Sequence, residues 1–193
     1  MKRSLFLPIV AASLLLITRV SYATLLSFSA HLDGPSENPS TGSPGTGFAA
    51  VEVDTAAHTM HVHAEFSGLL GNTTAAHIHC CVAPPGNVGV ATTVPSFVGF
   101  PLGVTSGVFD ATLDLTLLSS FNPAFVAAHG GTAAGAEAFL IAGMLDSDSY
   151  FNIHTTRNPG GEIRGFLVAE PAMISLLALG LGAGLIATRR RRM

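Results

Sequence analysis

Three histidines fall on alternating patterns that would place their imidazoles on the polar faces of β-strands. His77 and His79 are spaced i, i+2, so both imidazoles project from the same face of one predicted strand. His154 follows Tyr150 and Asn152 on the polar face of another predicted strand. Imidazoles are ligands that suit Cu or Zn. If the two strands are neighbours, the three imidazoles could therefore converge on one metal ion.

The same polar side chains can also be explained without a metal. Imidazoles and amides can satisfy each other and nearby backbone groups in a buried hydrogen-bond network. The predicted network combines His77 and His79 with Tyr150, Asn152, Glu162 and Arg164. We favour this network over a bound metal, and we place redox catalysis last. For Glu162 and Arg164, an ordinary ion pair worth about 0–1 kcal/mol if exposed is favoured over an anion or partner contact by Arg164.

The elements that must position these residues read as short strands separated by turns. Residues 150–167 form a predicted β-hairpin with turn residues at 156–161. Further strands are predicted at 26–32, 48–54, 58–66, 74–80 and 108–117. Asn122-Pro123 and Thr132 are helix-start signals, which predict helices at 121–128 and 133–145. The sequence therefore predicts an all-β fold, an antiparallel β-sandwich or barrel with a short helical excursion before the last hairpin.

The two cysteines, Cys80 and Cys81, are adjacent and follow His79 directly. Neighbouring Cα atoms lie about 3.8 Å apart, closer than the roughly 4.4–6.8 Å that disulfides usually span. Three states remain open: a vicinal disulfide, two free thiols, or thiols that join a metal site beside His79. We favour the vicinal disulfide, because the chain is predicted to reach an oxidising compartment.

The two ends of the chain carry targeting patterns. A basic start, an apolar run and small residues are typical of a signal peptide at 1–23, which signal peptidase would cleave after Ala23. Residues 171–188 are almost wholly apolar and predict a C-terminal transmembrane helix. Four arginines follow it and would stay in the cytoplasm: Arg189, Arg190, Arg191 and Arg192. The domain between the two ends, residues 24–169, would then lie outside the membrane.

Charge is distributed unevenly along the chain. Of its 9 Lys and Arg residues, only Arg157 and Arg164 fall in the predicted domain, whereas all but one of its 12 acidic residues do. The domain therefore carries a net charge of about −9 when its histidines are neutral. Such a surface repels a phosphate backbone, which excludes nucleic acid as a partner.

Two motifs resemble a known family. One is Ala-His-Ile-His at 76–79. The other is Tyr-Phe-Asn-Ile-His-Thr at 150–155, followed by Asn-Pro-Gly-Gly-Glu-Ile-Arg-Gly at 158–165. Both are similar to the CHRD domain, which is named for its occurrence in chordin and is widespread in bacterial secreted proteins. The similarity runs from about Leu25 to Leu167.

The tail of the chain, residues 170–193, resembles the PEP-CTERM sorting signal. Glu170-Pro171 precedes the apolar segment and the arginines, and Ala169 stands where the usual first proline would be. The resemblance implies that an exosortase-type transpeptidase cuts near Glu170-Pro171. It further implies delivery of the domain to the outside of a Gram-negative envelope.

These patterns together predict a non-enzymatic, exported protein of the cell envelope or extracellular matrix, with a binding or structural role and no cofactor. Its expected partners are signal peptidase, the exosortase-type enzyme, the membrane during transit, and a matrix polysaccharide or protein. The alternative is a Cu- or Zn-binding domain, redox-active in its strongest form, that uses His77, His79 and His154.

Overall fold

The computed structural model describes residues 25–170. The predicted signal peptide with its cleavage site at Ala23, and the predicted transmembrane segment with its four arginines, lie outside the described residues. In the part of the chain that is described, no helix is long and apolar enough to cross a membrane. The elements within it are β1 (Leu25–Asp33), β2 (Thr46–Asp54), β3 (Thr59–Ser67), β4 (Thr73–Cys80), β5 (Gly107–Asp114), α1 (Pro123–Ala128), α2 (Ala133–Leu145), β6 (Ser149–Thr155), β7 (Ile163–Phe166) and β8 (Val168–Ala169).

The strands belong to one antiparallel sheet with the order β4-β6-β7-β1-β2-β3-β5, and β8 pairs with β1. The predicted all-β antiparallel class is confirmed. Of the two predicted architectures, sandwich or barrel, the sandwich is wrong and the barrel is formed in part, because these strands form one curled sheet, a half-barrel, rather than two stacked sheets. The physical reason is β7, which pairs with β6 on one side and with β1 on the other and so joins the two groups of strands edge to edge.

The concave side of the sheet holds the hydrophobic core. Alternate residues of β1, β2 and β3 point into it, as the period of two in a strand requires, and Phe28, Val51 and Val62 are fully buried. The ring of Phe97, from the long segment after β4, stacks between Phe109 of β5 and Phe151 of β6. That segment therefore fills the space between β5 and β6.

Two helices precede the final hairpin, as the sequence predicts. The side chain of Asn122 caps α1 by accepting from the backbone N–H of Ala124, and proline occupies the first turn. Thr132 caps α2 by accepting from the N–H of Gly135 at 3.1 Å. The helix α2 packs against β4 and β6, the two strands that carry the histidines of interest.

Candidate metal centre

The two histidine-bearing strands, β4 and β6, are neighbours in the sheet. Their register places His77 opposite Asn152 and His79 opposite Tyr150. His154 lies on the same face of β6 as Asn152 and Tyr150, because residues two apart in a strand point the same way. One ring nitrogen from each histidine lies within 4.8 Å of one from each of the other two. The structure therefore brings His77, His79 and His154 together, and this group is called the histidine cluster below.

Each imidazole of the histidine cluster donates one N–H to a backbone carbonyl of a surrounding loop. The bonds run from His77 Nε2 to Pro95 O at 2.7 Å, from His79 Nδ1 to Val88 O at 2.8 Å, and from His154 Nδ1 to Pro159 O at 3.0 Å. A carbonyl only accepts, so each bonded nitrogen carries the proton and the other nitrogen keeps a free lone pair. Those nitrogens are His77 Nδ1, His79 Nε2 and His154 Nε2, and all three are buried without a hydrogen-bond partner.

The three buried nitrogens each have a lone pair that needs a hydrogen-bond donor or a metal ion. Buried acceptors without partners are costly, so native structures satisfy them with a donor or an ion. A single water molecule has only two protons and cannot donate to three acceptors at once. One metal cation, in contrast, can accept all three lone pairs. The arrangement of the histidine cluster thus matches the requirements of a three-imidazole metal site.

Burial keeps the histidine cluster neutral at physiological pH. Removal from water lowers the pKa of His77 to about 4, helped by the nearby His154, and it lowers the pKa of His79 to about 4 as well. Burial also lowers the pKa of His154. Neutral imidazoles are the metal-binding form. The free lone pairs are therefore available near pH 7 without competition from protons.

Tyr150 and Arg164 extend the histidine cluster as a stack. The ring of Tyr150 lies nearly parallel to that of His79, with centroids 4.7 Å apart. The guanidinium carbon of Arg164 lies 4.7 Å from the centroid of the same tyrosine ring. Because β6 lies between β4 and β7, Tyr150 is sandwiched between the histidine and the arginine. Its hydroxyl donates to Val88 O at 3.2 Å, the carbonyl that also fixes His79.

The predicted polar network is not formed as the sequence suggested. The structure describes no hydrogen bond from the histidine cluster to Asn152, Glu162 or Arg164, and the Oδ1 atom of Asn152 is itself buried without a partner. Loop carbonyls accept hydrogen bonds from the imidazole N–H groups instead, because the loops after β4 and β6 fold over the cluster. Long loops of this kind have no periodicity from which their contacts can be read.

Glu162 and Arg164 do not form the ion pair that was predicted, and neither is exposed. Glu162 accepts hydrogen bonds from Ser43 and Thr155 and from the backbone N–H groups of two residues after β3. Arg164 is 1% exposed. It donates to the carbonyls of Ser36, Pro85 and Gly86 and to the amide of Asn87. Both residues hold loops in place from inside the protein.

The ion-pair partner of Arg164 is Glu37, a residue that sequence reasoning missed. A Glu37 oxygen lies 3.8 Å from Arg164 Nε, and its other oxygen is buried without a partner. Burial raises the pKa of Glu37 to about 7, although the charge of Arg164 acts in the opposite direction. Glu37 follows β1 in a loop rich in Pro, Gly and Ser, so no local pattern marked it as buried.

The structure joins Cys80 and Cys81 as a vicinal disulfide at the end of β4. Its sulfur atoms lie against Gly143 of α2, where an added Cβ would overlap them. Cys80 alternates with His79 along the strand, so its side chain is on the opposite face from the histidine cluster. Neither sulfur therefore belongs to the candidate metal centre.

Comparison with known proteins agrees with the two motifs at residues 76–79 and 150–165. A search of curated proteins found no match, and a search of solved structures found none either. The model of the CHRD domain family matches residues 28–167, which include the whole of β4, β6 and β7 and thus all three histidines. The chain therefore belongs to the CHRD domain family.

Proposed function

We propose that this protein is an exported, non-enzymatic metal-binding protein of the cell envelope, and that the histidine cluster binds a single Cu or Zn ion. Two observations carry the proposal: each of the three imidazoles brings one nitrogen within 4.8 Å of the other two, and each has one buried nitrogen without a hydrogen-bond partner. Imidazole is a preferred ligand of both metals. The protein thus supplies three fixed donors and leaves any further coordination position to water or to a partner.

The carbonyl bonds behind the imidazoles support this assignment. Metal-binding histidines usually donate their second N–H to a carboxylate, a backbone carbonyl or water, which fixes both tautomer and ring orientation. Here each of the three bonds has a length of 2.7–3.0 Å. The imidazoles are therefore held in tautomers whose unprotonated nitrogens are buried and without a hydrogen-bond partner before any metal arrives.

Several features favour a location outside the cytoplasm. A signal peptide is predicted at 1–23, and the tail at 170–193 resembles a sorting signal with its predicted cut near Glu170-Pro171. Disulfides such as Cys80–Cys81 persist in oxidising compartments. Membership of the CHRD domain family also agrees with an extracellular role. Signal peptidase and an exosortase-type enzyme would process the chain, and a matrix polysaccharide or protein would be its neighbour at the surface.

The decisive experiment measures metal content in the full-length chain, purified with detergent, and in two variants. The wild type should take up one Cu or Zn ion per chain, and its melting temperature should rise with metal concentration. His154→Ala removes one of the three donors and should abolish stoichiometric uptake. His31→Ala removes an exposed imidazole from the outer face of β1 and should change nothing.

Elemental analysis and thermal melts would separate this proposal from a buried polar cluster filled by water. Uptake of less than one-tenth of an equivalent by the wild type would contradict the proposal. Equal uptake by the wild type and His154→Ala would also contradict it, because the metal would then be bound elsewhere.

A further inference from the structure

We infer that the histidine cluster selects monovalent copper, Cu⁺, over divalent ions. This inference rests on the proposed metal-binding function and names the ion that the same site takes. The charge of the groups around the three nitrogens, taken from the nearest outward, selects the ion.

The first layer around the bound ion would be uncharged. The three donors are neutral imidazoles, and no carboxylate or thiolate joins them among residues 25–170. The two cysteine sulfurs are bonded to each other. A divalent ion in this position would therefore keep its full charge of +2 with no anionic ligand to reduce it.

The second layer is also uncharged. Many metal-binding histidines donate to a carboxylate, which brings a negative charge close to the ion and makes the imidazole more basic. In the histidine cluster all three acceptors are backbone carbonyls. The usual place for a compensating charge is thus taken by neutral groups.

Arg164 brings a positive charge close to the histidine cluster through the ring of Tyr150. Arg164 stacks on the far side of Tyr150 from His79, with its guanidinium carbon 4.7 Å from the centroid of the tyrosine ring. Glu37 lies 3.8 Å from Arg164, so an ionised Glu37 does no more than balance that arginine. Arg164 and Glu37 together therefore contribute a local charge of zero or +1 before metal binding.

A buried cation without anionic partners is opposed by desolvation, and the electrostatic cost grows with the square of the charge. Halving the charge thus reduces that cost about fourfold. A closed-shell Cu⁺ ion is also satisfied by three donors in a plane, whereas Zn²⁺ and Cu²⁺ would have to take water or a partner group as a further ligand in this buried position. Both properties of the histidine cluster, its missing negative charge and its three donors, favour Cu⁺.

The test compares affinities for Cu⁺, Cu²⁺ and Zn²⁺ in the full-length chain at pH 7.5. Cu⁺ is measured anaerobically by competition with bathocuproine disulfonate, and the divalent ions by competition with chelators of known affinity. We expect Cu⁺ to bind at least a thousandfold more tightly than either divalent ion. The copper-loaded protein should also stay silent in electron paramagnetic resonance after exposure to air.

A charge variant tests the reason for the selectivity. Asn152→Asp places a carboxylate of nearly the same shape beside His77, its partner across β4 and β6. This variant should bind Zn²⁺ at least tenfold more tightly and should narrow the preference for Cu⁺ accordingly. Asn72→Asp adds the same charge on the exposed surface and should alter the ratio less than twofold.

The outcomes distinguish the inference from the function on which it rests. No uptake of any of the three ions would refute metal binding and the selectivity with it. Stoichiometric uptake with Zn²⁺ or Cu²⁺ bound as tightly as Cu⁺ would overturn the selectivity alone. If Asn152→Asp fails to fold, the comparison of the three ions in the wild type still decides the question.

Discussion

Replacing Glu162 with Gln is expected to destabilise the fold although the side chain keeps its size. The carboxylate is fully buried and accepts four hydrogen bonds. Oε1 accepts from Leu70 N at 2.5 Å and from Ser43 Oγ at 2.7 Å. Oε2 accepts from Gly71 N at 3.1 Å and from Thr155 Oγ1 at 2.6 Å. Each oxygen therefore serves one backbone N–H and one hydroxyl.

The expected magnitude follows from these partners. Glutamine has one oxygen and one NH₂ group, so in either orientation the NH₂ meets a backbone N–H that cannot turn away. A hydroxyl can rotate and accept instead. An unsatisfied buried donor costs about 1–3 kcal/mol, and the remaining bonds lose the extra strength of a charged acceptor. We therefore expect Glu162→Gln to lower the free energy of unfolding by about 3 kcal/mol.

Urea denaturation at pH 7.5 measures this loss. Glu65→Gln makes the same chemical change at an exposed position of β3 and should shift the free energy of unfolding by less than about 0.5 kcal/mol. Burial alone would raise the pKa of Glu162, but its hydrogen bonds from Thr155, Leu70, Ser43 and Gly71 hold that pKa below its usual value of 4.5.

The stability of the two proteins in acid provides a second test of the role of Glu162. A carboxyl whose pKa is lower in the folded state stabilises the protein above its unfolded pKa and loses that contribution as pH falls through the folded pKa. The difference in stability between wild type and Glu162→Gln should therefore shrink below about pH 4.5. A Glu162→Gln variant as stable as Glu65→Gln, or a difference that does not change in acid, would refute the role assigned to this carboxylate.

Two further predictions concern acid stability and sorting. Without metal, the free energy of unfolding should fall as pH drops from about 6.5 towards 4, by roughly 3 kcal/mol for each β4 histidine, because the unfolded imidazoles bind protons first. Urea titrations across this range test the prediction, and a flat profile would contradict it. Changing Glu170 and Pro171 together to Ala should leave the protein unprocessed in the inner membrane, whereas deletion of 171–193 should release a soluble secreted domain. Fractionation and mass spectrometry of the C-terminus test both, and intact arginines on the mature surface form would contradict the sorting signal.

Local patterns account for the elements that sequence reasoning could predict. Alternation placed the ends of these strands within three residues of their observed positions, and cap residues gave α2 its observed bounds. The same alternation put His77 and His79 on one face, and it put His154 on the face of Tyr150 and Asn152. These features depend on residues close in the chain, whose preferences tertiary packing has not overridden.

Contacts between distant segments account for what could not be predicted. Glu162 reaches Ser43, which is 119 residues away in the chain, and Arg164 reaches the carbonyl of Ser36 across 128 residues. Alternation describes which face a strand buries but not which strand lies beside it. Neither the single curled sheet nor the burial of Glu37 could therefore be read from one sequence.

The motif at residues 158–165 supports the histidine cluster without contributing a ligand. Within it, the carbonyl of Pro159 accepts a hydrogen bond from the Nδ1–H of His154. Arg164 donates hydrogen bonds to the carbonyls of the loop directly before Val88. The carbonyl of Val88 in turn accepts a hydrogen bond from the Nδ1–H of His79. These acceptors decide which nitrogen of each ring is protonated, and thus which lone pair faces the interior. The His-x-His strand, β6 and the Asn-Pro-Gly-Gly-Glu-Ile-Arg-Gly motif consequently act as one unit, because β4 carries two of the three imidazoles, β6 carries the third, and the motif fixes two of the tautomers.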